Sequence, residues 1–389
     1  MTTSRRLRAR LAVTASAIAL VSTISVAGAA TAPSAARADA ALDVAIAKLV
    51  ASEGGPPSVA AVVQRGDEIT FHGQGEADIA TKAPPKIDDH MRLASVAKAV
   101  SGAVELSAVA DGTLSLDDTI GERLPDMPAA WSRVTLANLL GHTSGIPDFS
   151  KTKEFASAVG ESLLVPPPPV DLLSFVADEP LSFAPGSKYV YSNSDNIIAG
   201  LMVEQATGNA FAQELTTRVA QPLGMSRTTL PNDDTMPTPY IHGYVTEPPD
   251  PPVDASEVFA AGWAWTSGGT MSTPGDANRF IRGYTAGTTS NPATQTEQFR
   301  FRPGKSEPPG PGTNSAGLAI FRYQTNCGTV YGHTGNTPGY TQFIAATRDG
   351  SRSATVAIGE QITPKSDPKA FAKLRAIYGL AVCAALAGT

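Results

Sequence analysis

The order of apolar and polar positions divides the chain into three stretches. Residues 41–52 repeat apolar side chains at helical spacing and predict an amphipathic helix. Residues 58–64 and 68–73 then read as two strands joined at Arg65-Gly66-Asp67, a hairpin. A loop through Pro84-Pro85 and Asp88-Asp89-His90 leads to a long helical pattern that opens at Ser95. It is apolar at Val96, Ala99, Val100, Val104, Leu106 and Ala108, and it stops at Asp111-Gly112. From 112 to about 262 the pattern stays helical with long irregular connections, and helices are predicted at 136–140, 171–178, 196–206 and 211–220. The proline runs at 166–169 and 248–252 are surface loops within this stretch, because apolar helical patterns continue on both sides. Strands return from Ala264 onward, around Met271 and at 318–323, 330–332, 340–348 and 353–358, before a last helix over 368–386. Strands from both ends and helices from the middle predict an α/β fold. Its sheet domain comprises 41–94 and 264–389, and 95–263 form a mainly helical insertion.

The first 40 residues change the picture of the start. Arg5, Arg6, Arg8 and Arg10 precede an apolar stretch from Leu11 to Ala30, followed by small-residue cleavage sites at Ala27-Gly28-Ala29 and Ala38-Asp39-Ala40. This is the layout of a signal peptide, so a secreted, extracellular chain with no lasting membrane anchor is expected. Ser4-Arg5-Arg6 is compatible with twin-arginine export, and the general secretory route fits equally. Cleavage after Ala40 would remove five basic residues and one acid and leave a net charge of −10. That balance argues against nucleic acid as a partner. Cys327 and Cys383 are the two cysteines. In an exported chain one disulfide is the natural reading, and two buried thiols are the other. His72, His90, His142, His242 and His333 are scattered with no i, i+4 pair, so neither a metal site nor a cofactor is expected.

Candidate chemistry begins at Ser95 and Lys98. Three residues apart at the start of a helix, a hydroxyl and an amine share one face, and small apolar neighbours would lower the amine's pKa by desolvation until it can act as a base. The pattern S-x-x-K also occurs at Ser150/Lys153 and Ser366/Lys369, but the first follows a turn and the second contains Pro368, so both read as surface loops. Tyr191 and Asn193 stand between the Ala184-Pro185-Gly186 turn and a helix. A Tyr hydroxyl aimed at a Lys can relay protons, and an Asn beside it can hold an amide; alone, the segment is equally a polar turn capping that helix. In Tyr331-Gly332-His333-Thr334-Gly335-Asn336, Gly335 would let a substrate lie against the strand edge, and the next backbone N–H, on Asn336, could face an oxyanion.

In order and spacing, Ser95-x-x-Lys98, Tyr191-x-Asn193 and His333-Thr334-Gly335 resemble the three motifs of serine penicillin-recognising enzymes. The segments Leu139-Leu140-Gly141-His142-Thr143-Ser144-Gly145 and Gly262-Trp263-Ala264-Trp265-Thr266-Ser267-Gly268-Gly269 are also similar to segments of that family, so the likeness extends over most of the chain after its first 40 residues. The resemblance implies a β-lactamase-like fold, an antiparallel sheet flanked by helices with an all-helical insertion. It implies Ser95 as nucleophile, Lys98 as base, Tyr191 as proton relay, and an oxyanion held by the backbone N–H groups of Ser95 and Asn336. Asn193 would bind the acyl side, His333 and Thr334 would line the place of a terminal carboxylate, and Trp263 would wall the cleft; His142 is left as structural. The His-Thr-Gly form of the third motif resembles the D-alanyl-D-alanine carboxypeptidase branch, which acts on cell-wall peptides and is acylated by β-lactams. A β-lactamase, an esterase, a D-amino-acid amidase or a non-catalytic penicillin-binding module are the alternatives, and a monomer is expected. Carboxypeptidases of this type tend to hold the substrate carboxylate with an Arg on the preceding strand. Arg322 is the candidate, although a one-residue shift in register would put Phe321 there instead.

Overall fold

The structure is a computed structural model and describes residues 34–388. Most of the expected signal segment therefore lies outside the described residues. Its last part, however, forms the first turns of helix α1 (Ala35–Val50), which begins six residues before the amphipathic pattern suggests. Asp39 in those turns pairs with the buried Arg65.

β1 (Ser58–Arg65) and β2 (Glu68–Gly75) form the expected hairpin, with Gly66 at φ +58° in the tight turn between them. The remaining strands of the main sheet are β3 (Arg302–Pro303), β4 (Thr313–Ala316), β5 (Phe321–Thr325), β6 (Gly328–Thr337), β7 (Tyr340–Ala346) and β8 (Arg352–Ile358). They assemble in the order β2-β1-β8-β7-β6-β5-β4-β3, and every neighbouring pair is antiparallel. The first and last parts of the chain thus meet where β1 pairs with β8.

Alternate side chains along the central strands enter two different cores, as the strand period of two requires. Val59, Ala61, Val63, Phe343 and Ala345 pack with Leu42 and Ile46 of α1 and with Leu374, Ile377 and Tyr378 of the last helix, α5 (Pro368–Leu386). A disulfide from Cys327, just before β6, to Cys383 fastens that helix to the sheet, with the two Cα atoms 5.2 Å apart. Ala60, Ile344, Ala346 and Ala357 point the other way, into a larger core. There they meet α2 (Ala97–Ala110), α3 (Asn193–Thr207) and α4 (Pro274–Ala286).

α4 is a departure from the sequence reading, which assigns strands from Ala264 onward until the last helix at 368–386. Its start is written in Thr273-Pro274: the Thr273 hydroxyl accepts from Asp276 N–H, and Pro occupies the first helical position. Ala277, Phe280, Ile281 and Tyr284 then recur at helical spacing and are buried. Asn278, on the same face, bonds to Gln64 of β1 and Ser353 of β8, which seats the helix on the sheet.

Candidate active site

Ser95 lies on a single 3-10 turn, Ala94–Val96, that runs directly into α2. Ala94 is held at φ +50°, a conformation rare for a residue with a Cβ and one that costs on the order of 1–3 kcal/mol. Its surroundings hold it there. Leu93 N–H donates to Thr270 O at 3.0 Å, and Gln342 of β7 donates to Arg92 O at 3.0 Å. Gly335 of β6 faces the same turn, where a Cβ would come within 3.0 Å of Val96 N and 3.1 Å of the Ala94 methyl. The glycine thus lets the strand close on the serine turn, a tighter reason than room for a substrate.

One turn into α2, Lys98 is buried, with its Nζ 3.2 Å from Ser95 Oγ, 2.6 Å from Asn193 Oδ1 and 2.6 Å from Ser267 O. Burial lowers its pKa to about 7, against the opposing pull of Asp148, Glu307 and Asp195. A neutral amine has two N–H bonds and one lone pair. Asn193 Oδ1 and Ser267 O can only accept, so they take both N–H bonds and turn the lone pair toward the Ser95 hydroxyl.

Asn193 begins α3 and is fixed from its other end, where its Nδ2 donates to Ser150 Oγ at 2.8 Å and to the Asp148 carboxylate. Ser150 therefore lines the cleft, which corrects its reading as part of a surface loop; Lys151 beside it is half exposed. Tyr191 is buried with its ring centroid 5.1 Å from Lys98 Nζ. Its hydroxyl lies toward Ser95, makes no hydrogen bond of ordinary geometry among the described residues, and is pushed well above the usual tyrosine pKa by burial.

A buried pair supports Tyr191 from below. The His142 ring lies 4.5 Å from the Tyr191 ring, its Nδ1 is 3.0 Å from Asp195 Oδ2, and Ser144 donates to the other Asp195 oxygen at 2.5 Å. Burial pushes His142 down to about 3 and Asp195 well above the usual carboxylate range.

The open part of the site is a cleft of about 360 Å³ in front of Ser95. Phe149, Phe155, Val159, Leu163, Phe259 and Trp263 make its wall, while Ser95, Ser150, Asn193, Asn336 and Thr337 supply the polar edge. Trp263 donates from Nε1 to Ser162 O at 3.1 Å and packs edge-on to Phe155. Phe259 rests on the buried Arg92 guanidinium, which donates to its carbonyl at 2.9 Å. The Asn336 side chain is turned away to Thr341 Oγ1 and Ile362 O.

His333 is buried beside Tyr191, Thr334 is buried with its hydroxyl donating to Pro308 O, and neither lines this cleft. His333 Nδ1 donates to Thr334 O at 2.6 Å, and burial pushes the imidazole down to about 3. Arg322 lies apart from the site. Its Nε donates to Ser315 Oγ at 3.0 Å and its guanidinium covers Phe301 at 4.9 Å. The strand register pairs Phe321 with Gly332, and it is the Phe321 ring that packs on His333 at 4.9 Å.

A serine hydroxyl beside a buried lysine poised to lose its proton, on an antiparallel sheet with helices to either side, defines a serine hydrolase of the β-lactamase fold. The chain belongs to the Beta-lactamase family, whose model matches residues 42–378. Esterase EstB of Burkholderia gladioli is 36% identical over 181 residues, a match that spans 43% of this chain and 45% of the esterase. Penicillin-binding protein 4* of Bacillus subtilis (strain 168) is 31% identical over 185 residues, spanning 46% of this chain and 40% of its own. These matches thus span less than half the length of either relative. Among solved structures, a D-stereospecific amidohydrolase from Streptomyces sp. superposes with a TM-score of 0.74 at 25% identity, covering 86% of this chain and 98% of its own.

Proposed function

We propose that the protein hydrolyses esters or amides of apolar acids through an acyl-enzyme on Ser95. The observation that supports this most strongly is the hydrogen-bond set of Lys98, which among the described residues leaves a neutral amine only one group to accept from, the Ser95 hydroxyl. Lys98 takes the serine proton as the oxygen attacks the carbonyl, and the tetrahedral oxyanion rests on the backbone N–H groups of Ser95 and Asn336. Tyr191 passes a proton to the leaving atom. In the second half, the same two groups draw a proton from water, which attacks the ester and frees the serine.

The apolar wall of the cleft favours an apolar acyl group over a polar peptide stem. Ester or amide hydrolysis is therefore the better-supported reading. We further propose that the chain is exported, on the strength of its basic-then-apolar N-terminal segment and its disulfide.

The test is to incubate the protein with p-nitrophenyl butyrate, a fluorescent penicillin and diacetyl-Lys-D-Ala-D-Ala. Rapid ester turnover with little D-Ala release is the expected result. Efficient D-Ala release would restore the carboxypeptidase reading, and failure to turn over any substrate or take up any label would leave a non-catalytic module.

A further inference from the structure

The apolar wall of the cleft does not end at its mouth. Val165 N–H donates to Ser162 O at 3.2 Å and closes a turn in which Leu163 and Leu164 hold the two central positions. Turns usually place Gly, Pro, Asn, Asp or Ser there. Here Leu163 is 43%, Leu164 52% and Val165 71% exposed, the last being the most exposed large apolar side chain among the described residues. Val258, at 38%, is exposed as well.

These side chains belong to the site rather than to the general surface. Leu163 and Val258 both line the cleft in front of Ser95. The two segments that carry them are fastened side by side: Ala260 N–H donates to Leu163 O at 2.9 Å, and Trp263 Nε1 to Ser162 O at 3.1 Å. Pro166 closes on Gly262, where a Cβ would come within 2.6 Å of the proline ring. The turn is thus seated on the cleft mouth, and a contiguous apolar surface left in water there is the mark of a binding surface. Because it continues the wall that faces the acyl group, the occupant it fits is the far end of that same group.

We infer that Leu163, Leu164, Val165 and Val258 form an outer part of the acyl site, and that the enzyme acts on acids whose apolar chain outruns the cleft and lies over this rim. Esters or amides of long straight-chain fatty acids fit this shape. Butyrate fills only the inner part.

The inference rests on the Ser95 acyl-enzyme reading and specifies its acid. With p-nitrophenyl esters the bond from Ser95 Oγ to the acyl carbon forms as p-nitrophenolate departs, so kcat/KM compares transition states that differ only in chain length. A methylene wholly removed from water is worth about fourfold, and one resting half covered on a rim roughly twofold.

The experiment measures kcat/KM for p-nitrophenyl butyrate and decanoate, at concentrations where light scattering shows both dissolved, in the native protein and in the double variant Leu164→Asn/Val165→Ser. Asn and Ser suit a turn, so the variant should keep its fold, which thermal unfolding checks. The native decanoate-to-butyrate ratio should be about tenfold or more, and the variant should lower it about threefold or more. A native ratio of one or less, or a ratio the variant leaves in place, overturns the inference. A dimer that the variant breaks apart, or adsorption to phosphatidylcholine vesicles that it abolishes, either one with the ratio unmoved, would make a second copy or a lipid surface the occupant instead. If neither ester leaves an acyl group on Ser95, it is the underlying acyl-enzyme reading that fails.

Discussion

Replacing Lys98 tests the chemistry at its weakest joint, the claim that an amine serves as base near neutral pH. With an ordinary pKa of 10.5, about one lysine in 3,000 would be neutral at pH 7, whereas the buried Lys98, at about 7, is half neutral. The acylation rate should therefore climb with pH through a midpoint near 7 and level off above pH 8. Lys98→Met keeps the length and the packing but removes the lone pair, and Lys98→Arg keeps a cation that cannot give up its proton. Both should lower the single-turnover acylation rate by roughly 10²–10⁴, the usual worth of a placed general base. The assay is the stopped-flow burst of p-nitrophenol from p-nitrophenyl butyrate between pH 5.5 and 9, with thermal unfolding of each variant as a control. A rate independent of pH across that range, or Lys98→Arg acting within tenfold of the native protein, would refute the reasoning.

Three further outcomes are expected. Tyr191→Phe should lower both acylation and deacylation, by roughly 10²-fold or more, and leave the midpoint near pH 7 in place, as burst and steady-state rates would show. Glu105 on α2 is fully buried, neither of its oxygens has a partner among the described residues, and burial pushes it up to about 8 from 4.5. The folded state thus holds this proton more tightly than the unfolded chain, and stability should fall by about 1.4 kcal/mol per pH unit as pH rises from near 4.5 to 8. Glu105→Gln should flatten that decline and be the more stable form at pH 8, and melting curves that stay parallel for the two proteins from pH 5 to 8 would contradict it. Cleavage after Ala40 would cut α1 and remove Asp39 from Arg65, whereas cleavage after Ala29 leaves both. N-terminal sequencing of exported protein should accordingly begin at Ala30.

Elements that organise their own hydrophobic period are legible in the amino-acid order itself. The β1–β2 hairpin, the end of α2 at Asp111-Gly112 and the last helix at 368–386 follow from local pattern and from punctuation by Gly and Pro. α4 is also written locally, in Thr273-Pro274, but the short strand Met271–Ser272 just before it masks that signal. The polar centre is legible through the three motifs, which stand on the turn into α2, at the start of α3 and on β6. The cleft wall is not. Phe149, Phe155, Phe259 and Trp263 come from segments up to 114 positions apart, and nothing in an isolated Phe distinguishes a cleft wall from a core. Arg322 turns on register. A period of two makes neighbouring residues face opposite ways, and only the pairing of Phe321 with Gly332 decides which of them meets His333. The place of Ser150 beside Asn193 likewise depends on the fold, since its own S-x-x-K spacing points to a lysine it does not use.

The account as a whole stands on a covalent bond to one oxygen, and mass spectrometry can see that bond. Protein mixed with a p-nitrophenyl ester and quenched in acid within the burst should gain the mass of one acyl group, and trypsin should place it on the short peptide running from Leu93 to Lys98. Ser95→Ala should gain nothing and release no p-nitrophenol burst. Acyl mass on Ser150 or any other residue, or undiminished turnover by Ser95→Ala, would contradict the account.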